Sequence, residues 1–102
     1  MKVYLEGIKS GIKAVGMYNV ETKELIVLKG SVVSETVSFS ETFRGISRIV
    51  KKRQENVTDR IVMKNVLFKS SSTAANFITG CSTNGLTAWK TELGLKLREV
   101  IK

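Results

Sequence analysis

The chain of 102 residues has no histidine, one cysteine and no long apolar run. Without histidine it lacks the commonest general base and the commonest metal ligand. Cys81 alone forms neither an internal disulfide nor a zinc site, and it suits a reducing, cytoplasmic setting. Aspartate is equally scarce: Asp59 is the only one, and the other acids are glutamates spread along the chain. A metal-dependent nuclease needs clustered carboxylates to hold its ion. The triplet Glu21-Thr22-Lys23 matches the acid-x-Lys half of one nuclease signature, but no aspartate lies upstream of it, and these residues read as a hairpin turn. This inventory points away from catalysis and calls for no cofactor and no metal.

No apolar run nears the roughly 18–20 residues needed to span a bilayer, so no membrane partner is expected. The opening residues, MKVYLEGIKSG, are interrupted by Glu6 and Lys9 and lack the apolar core of a signal peptide. The length suits one domain, residues 1–102, with a single modest core. No repeat or linker divides it.

What the chain does have is positive charge. Seventeen Lys and Arg against nine acids give a net charge of +8. Such a field favours polyanions: nucleic acid, an anionic surface or an acidic protein. The charge is concentrated between Arg44 and Lys69, where basic residues at 44, 48, 51, 52, 53, 60, 64 and 69 face acids at 55 and 59 only.

Periodicity predicts an α+β fold: a small single domain with an antiparallel sheet of about three to five short strands, packed with three helices. Residues 13–20 and 24–30 read as a hairpin, with Val15 and Met17 on one face and Ala14, Gly16 and Tyr18 on the other. An earlier strand is expected near Val3–Leu5, and residues 31–40 read as loop. Residues 41–53 read as a helix capped by Ser40, with Phe43, Ile46, Ile49 and Val50 in one apolar stripe. Arg44, Arg48 and Lys51 fall opposite, with Lys52 at the edge. Arg53 would turn back to the apolar side, so the helix is expected to end near Lys52. Gly45 inside it would cost up to about 1 kcal/mol relative to alanine. Residues 60–68 read as a strand kinked at Lys64-Asn65. Ser70 reads as the cap of a helix over 71–79, stopped by a left-handed Gly80. Asn84-Gly85 reads as a turn, residues 86–90 as a strand carrying Trp89, and residues 95–102 as a last helix burying Leu97, Val100 and Ile101.

The order Phe68-x-Ser70-x-Ser72-Thr73-Ala74-Ala75-x-Phe77-Ile78-x-Gly80, then Asn84-Gly85, Trp89-Lys90 and Gly94-x-x-Leu97, resembles the bacterial domain of unknown function 4357 family. Val27–Ser31 is similar to that family's strand ending in Gly-Ser, so the resemblance covers about residues 13–101. Two positions depart from it. Ser71 stands where the family has proline, and Leu86 where it commonly has an aromatic residue. The resemblance implies an accessory domain found with GIY-YIG nucleases and restriction-modification enzymes, with relatives proposed to read modified DNA.

Together these point to a non-catalytic module that binds nucleic acid, most simply duplex DNA. Arg44, Arg48, Lys51 and Lys52 would meet phosphates without reading sequence, unless they are simply a solvated helix face. The start of the 71–79 helix, with Ser70, Ser71, Ser72 and Thr73, offers N–H groups and hydroxyls to one phosphate, or merely a cap. Asn84 would pair with an adenine edge or shape a turn. Trp89 would stack on a base or fill the core, and Lys90 would contact phosphate. The alternative is a protein-interaction module docking on a nuclease or restriction partner.

Overall fold

In the computed structural model, which describes residues 1–7, 10–37 and 45–101, the alternating N-terminal stretches form three strands. They are β1 (Lys2–Gly7), β2 (Ile12–Tyr18) and β3 (Leu25–Val27). The β2–β3 turn is built by Asn19, whose Oδ1 accepts the N–H groups of Glu21 and Thr22. Residues 21–23 therefore belong to a hairpin turn, as the sequence predicts. A fourth strand, β6 (Val66–Phe68), closes a sheet of order β1-β2-β3-β6 in which every pair is antiparallel.

One face of this sheet carries the core. Val3, Leu5, Ala14, Tyr18, Leu25, Val27, Val66 and Phe68 point inward and are buried. Above them lies α2 (Ser71–Thr79), contributing Ala74, Ala75, Phe77 and Ile78. The small alanines permit close approach, and the Phe77 ring meets Phe68 at 5.0 Å between centroids. Ser70 caps α2 by accepting the Thr73 N–H, and Gly80 ends it at φ 74.

The basic helix departs from its predicted bounds. It is α1 (Ile46–Asn56), with Ile49 buried and Ile46 and Val50 partly so. Gly45 precedes it at φ 77, so this glycine supplies a left-handed entry and does not weaken a helix interior. Ser40, Phe43 and Arg44 lie outside the described residues. The helix also runs past Lys52, because Arg53 has polar partners on the inner side. After α1, β4 (Val57–Thr58) and β5 (Ile61–Val62) form a two-stranded hairpin. Its turn residues Asp59 and Arg60 both have positive φ, as a tight hairpin requires. The single strand predicted over 60–68 is thus two strands in different sheets. They separate at residues 63–65, where Asn65 Oδ1 turns to accept the Lys29 N–H.

The largest correction concerns residues 84–90. Asn84 has φ −80, and its Oδ1 accepts the Leu86 N–H, so it caps a one-turn helix, α3 (Gly85–Ala88), and needs no positive φ. Helix α3 replaces the predicted strand and delivers Trp89, fully buried, over the sheet at Gly16. Trp89 Nε1–H donates to the Ser71 carbonyl at 3.0 Å. Lys90 then exchanges backbone hydrogen bonds with Tyr4 along the outer edge of β1. A last turn, α4 (Leu97–Val100), buries Leu97 and leaves Val100 and Ile101 partly covered. The described residues thus form a four-stranded sheet, a two-stranded hairpin and four helices, an α+β domain. No helix among them is long and apolar enough to cross a membrane.

Gly85 presses on the start of α2. A β-carbon there would overlap the backbone of Ser71 and Ser72. Gly85→Ala should therefore cost about 2 kcal/mol by forcing α3 off α2. Thermal unfolding followed by circular dichroism should show Tm lowered by roughly 8–16 °C, at the 4–8 °C per kcal/mol usual for a domain of this size.

Candidate functional site

The cations divide into two groups. Arg48, Lys51 and Lys52 are exposed on the outer face of α1, opposite buried Ile49. Their spacing at i, i+3 and i+4 makes them neighbours, with roughly 6 Å of helix axis between the first and last. Arg53 and Arg60 behave differently. Arg60 donates from Nε to the Val33 carbonyl and from Nη2 to the Ser10 carbonyl. Arg53 donates from Nε to Phe77 O, from Nη1 to Ser34 O, and from Nη2 to Ser34 Oγ and Ile78 O.

Arg53 therefore does for α2 what α2 lacks in its own sequence. The last carbonyls of a helix have no partner within it, and a cation there faces the negative end of the dipole. Helix α2 has no basic residue in its last turn, and Arg53 from α1 supplies one. Burial pulls its guanidinium below the ordinary arginine value. Nothing in the sequence pattern separates Arg53 and Arg60 from the surface cations, apart from the inward position of Arg53 on the helical wheel.

This arrangement anchors α1 at the C-terminal end of α2. The serine-rich start of α2 lies at the other end, roughly 10 Å away along the axis. There the hydroxyls have internal work. Ser70 Oγ accepts Thr73 N–H and meets Thr73 Oγ1 at 2.9 Å, and Ser72 Oγ accepts the Gly85 N–H at 3.0 Å. Ser71 is buried, Ser70 and Ser72 are partly covered, and Thr73 is exposed. Asn84 is exposed; its Oδ1 accepts the Leu86 N–H, which fixes the amide against α3 and leaves that oxygen one further lone pair. Trp89, with no exposed surface, presents no face to a base. Lys90 is exposed and lines a groove of about 530 Å³ with Tyr4, Glu6 and Glu92, so two carboxylates share its surroundings. Arg44 lies outside the described residues. Among the described residues, no three of Cys, Asp and Glu come together in a way that would hold a metal ion.

The family model described as Domain of unknown function (DUF4357) matches residues 3–101. No curated protein and no solved structure matches the chain. The motif residues that carry the resemblance are mainly architectural: Ser70 and Asn84 cap helices, Gly80 and Gly94 have positive φ, Gly85 touches α2, and Phe68, Ala74, Ala75, Phe77, Ile78, Trp89 and Leu97 are buried.

Because the Arg53 fork serves four acceptors, a lysine at that position leaves most of them unmet. Arg53→Lys should lower unfolding stability by about 2 kcal/mol in urea titration. Lys52→Gln, on the exposed face, should change it by less than about 0.5 kcal/mol.

Proposed function

The chain belongs to the DUF4357 family, and on that footing we propose that it is a non-catalytic, cytoplasmic DNA-binding accessory module linked to restriction-modification or to the recognition of modified DNA. The observation that carries this reading is the outer face of α1, where Arg48, Lys51 and Lys52 stand exposed on a helix that Ile49 and Arg53 hold against the body. A duplex presents about one phosphate charge per 1.7 Å of its axis, so a rigid cluster of cations within roughly 6 Å meets several. The net charge of +8 adds long-range attraction. Thr73 and Lys90 are the remaining exposed cation or donor side chains of the predicted set, apart from Asn84.

A second reading is favoured by one observation. With Trp89 buried and the Asn84 oxygen already accepting one N–H, the predicted set offers mainly phosphate-type contacts. A stripe of this kind also suits an acidic surface on a nuclease or restriction partner. In that case the chain would be a docking module.

Salt dependence separates the two. Three phosphate contacts give a log–log slope near −2.7, so duplex affinity should fall about forty-fold between 50 and 200 mM salt. Fluorescence anisotropy on unrelated duplexes measures this. Arg48→Glu should weaken binding to all of them alike and reduce the slope by about 1. Absence of duplex binding at low salt would rule out the DNA reading, while equal affinity for methylated and unmethylated duplexes would remove the modified-base part alone.

A further inference from the structure

A charged row crosses the outer edge of β1. Tyr4 exchanges backbone hydrogen bonds with Lys90 at 2.7 and 2.8 Å, and Lys90 is in turn bridged to Lys96. Around that second bridge Leu97 N–H donates to Trp89 O and Thr91 N–H to Leu95 O, so residues 89–91 and 95–97 continue the sheet beyond β1. Side chains directly opposite across such bridges share a face. Their neighbours Val3, Leu5, Trp89 and Leu97 belong to the core, so Tyr4, Lys90 and Lys96 point outward, and both lysines are exposed. Exposed Lys2, two residues before Tyr4, joins them: its Nζ stands 5.9 Å from the centre of the Tyr4 ring.

Two features of this cluster do nothing for the fold. The first is a like-charge pair. Cations directly opposite one another across strands destabilise a sheet. One row along the same face, Glu6 stands opposite Lys13, which is the favourable choice. At 90 and 96 cation stands against cation. The second is the position of the ring. Tyr4 is half-buried and lines two adjacent grooves, of about 530 and 400 Å³, so its ring is a wall between them and not part of the core. With Glu6 matched to Lys13, the lysines at 2, 90 and 96 outnumber Glu92, the other acid lining the grooves among the described residues.

We propose that this edge is a platform for single-stranded nucleic acid, with one base on the Tyr4 ring and its flanking phosphates on Lys2, Lys90 and Lys96. The site shares only Lys90 with the set considered above, and it does not rest on the duplex reading of α1. An aromatic ring among cations suits a single strand, because every base has a face that stacks and every nucleotide carries a charge. A duplex keeps its base faces in the stack and cannot use the ring. The Lys2 contact is at the length limit of a cation–π pair, so a base replaces it on the ring while the ammonium turns to phosphate. Strands about 4.8 Å apart set Lys90 and Lys96 side by side next to the ring. A phosphate between them would offset their repulsion. The sheet beyond is short, since β3 and β6 have three residues each, and it suits a few nucleotides better than a protein partner needing about 800 Å².

Fluorescence anisotropy on the full chain tests this, with labelled oligothymidylate and oligouridylate of about ten nucleotides, a length usual for such platforms. Both should bind, since no contact invoked touches the sugar. Three phosphate contacts on a single strand give a log–log salt slope of about −2.1, so affinity should fall about eighteen-fold between 50 and 200 mM salt. Tyr4→Ala should weaken binding about five-fold or more and leave that slope unchanged, as loss of one stack does. Tyr4→Phe keeps the ring and should stay within about two-fold of the parent, which controls for the half-buried position. Lys96→Glu should weaken binding about ten-fold. Its Tm should equal or exceed the parent's, because it turns a like-charge pair into an opposite-charge pair. Arg48→Glu should leave single-strand affinity within about two-fold while reducing duplex affinity, so the two readings fail separately. Absence of single-strand binding at low salt overturns the proposal. So do folded Tyr4→Ala and Lys96→Glu variants that bind as the parent does, or single-strand binding that Arg48→Glu abolishes.

Discussion

The domain is organised around one indole. Trp89 lies over the sheet at Gly16, where a β-carbon would approach its ring at 3.4 Å and collide with Leu25. Its N–H donates to the carbonyl of Ser71 in the first turn of α2. A buried tryptophan brings a large apolar surface and one donor that must be satisfied, and both needs are met here by backbone. The ring thus fixes the height of α2 above the strands. Gly85, four residues earlier, fixes how closely α3 lies on the same peptide. Sheet, α2 and α3 are set against each other through these two residues.

The other end of α2 depends on charge. Arg53 brings α1 and the Ser34 segment to the terminal carbonyls of α2, and Gly80 lets that segment pass, since a β-carbon there would meet Thr36 O and Ser34 Oγ. One face of α1 therefore spends its cation on cohesion, while the other presents cations outward. The same amino-acid type has opposite roles five positions apart, and helical phase alone decides which: Arg48 faces away from the apolar stripe and Arg53 towards it.

The sequence was legible wherever local chemistry decides structure. The cap at Ser70, the stop at Gly80, the hairpin at residues 19–24 and the alternation over residues 14–18 all follow from short-range rules, and all are present. It was misleading where a distant partner decides. Asn-Gly at 84–85 is turn chemistry in isolation, but contact with α2 makes it the start of a helix. Arg53 marks a helix end only if no acceptors await it, and they come from residues 34, 77 and 78. For the candidate site, the exposure of Arg48, Lys51 and Lys52 could be read from the helical wheel. The internal engagement of Ser72 could not, since it arises where α2 and α3 meet, and that of the Asn84 oxygen is a local cap that the turn reading of Asn-Gly hides. The outward side of the sheet, where Met17, Ile26 and Leu67 share a row, left one trace: the run Leu25–Leu28 is apolar without alternation.

The position of Trp89 along the chain also bears on biosynthesis. A ribosome that has delivered residues 1–88 has made β1 to β6 and α2, but not the side chain that fills the space above Gly16, nor the Lys90 backbone that pairs with the edge of β1. Until then the inner row of the sheet has an incomplete lid and the emerging chain exposes apolar surface. Nascent chains in that condition are the ones that chaperones engage. The core above Gly16 is thus complete only with residue 89, and its completion coincides with closure of the sheet edge.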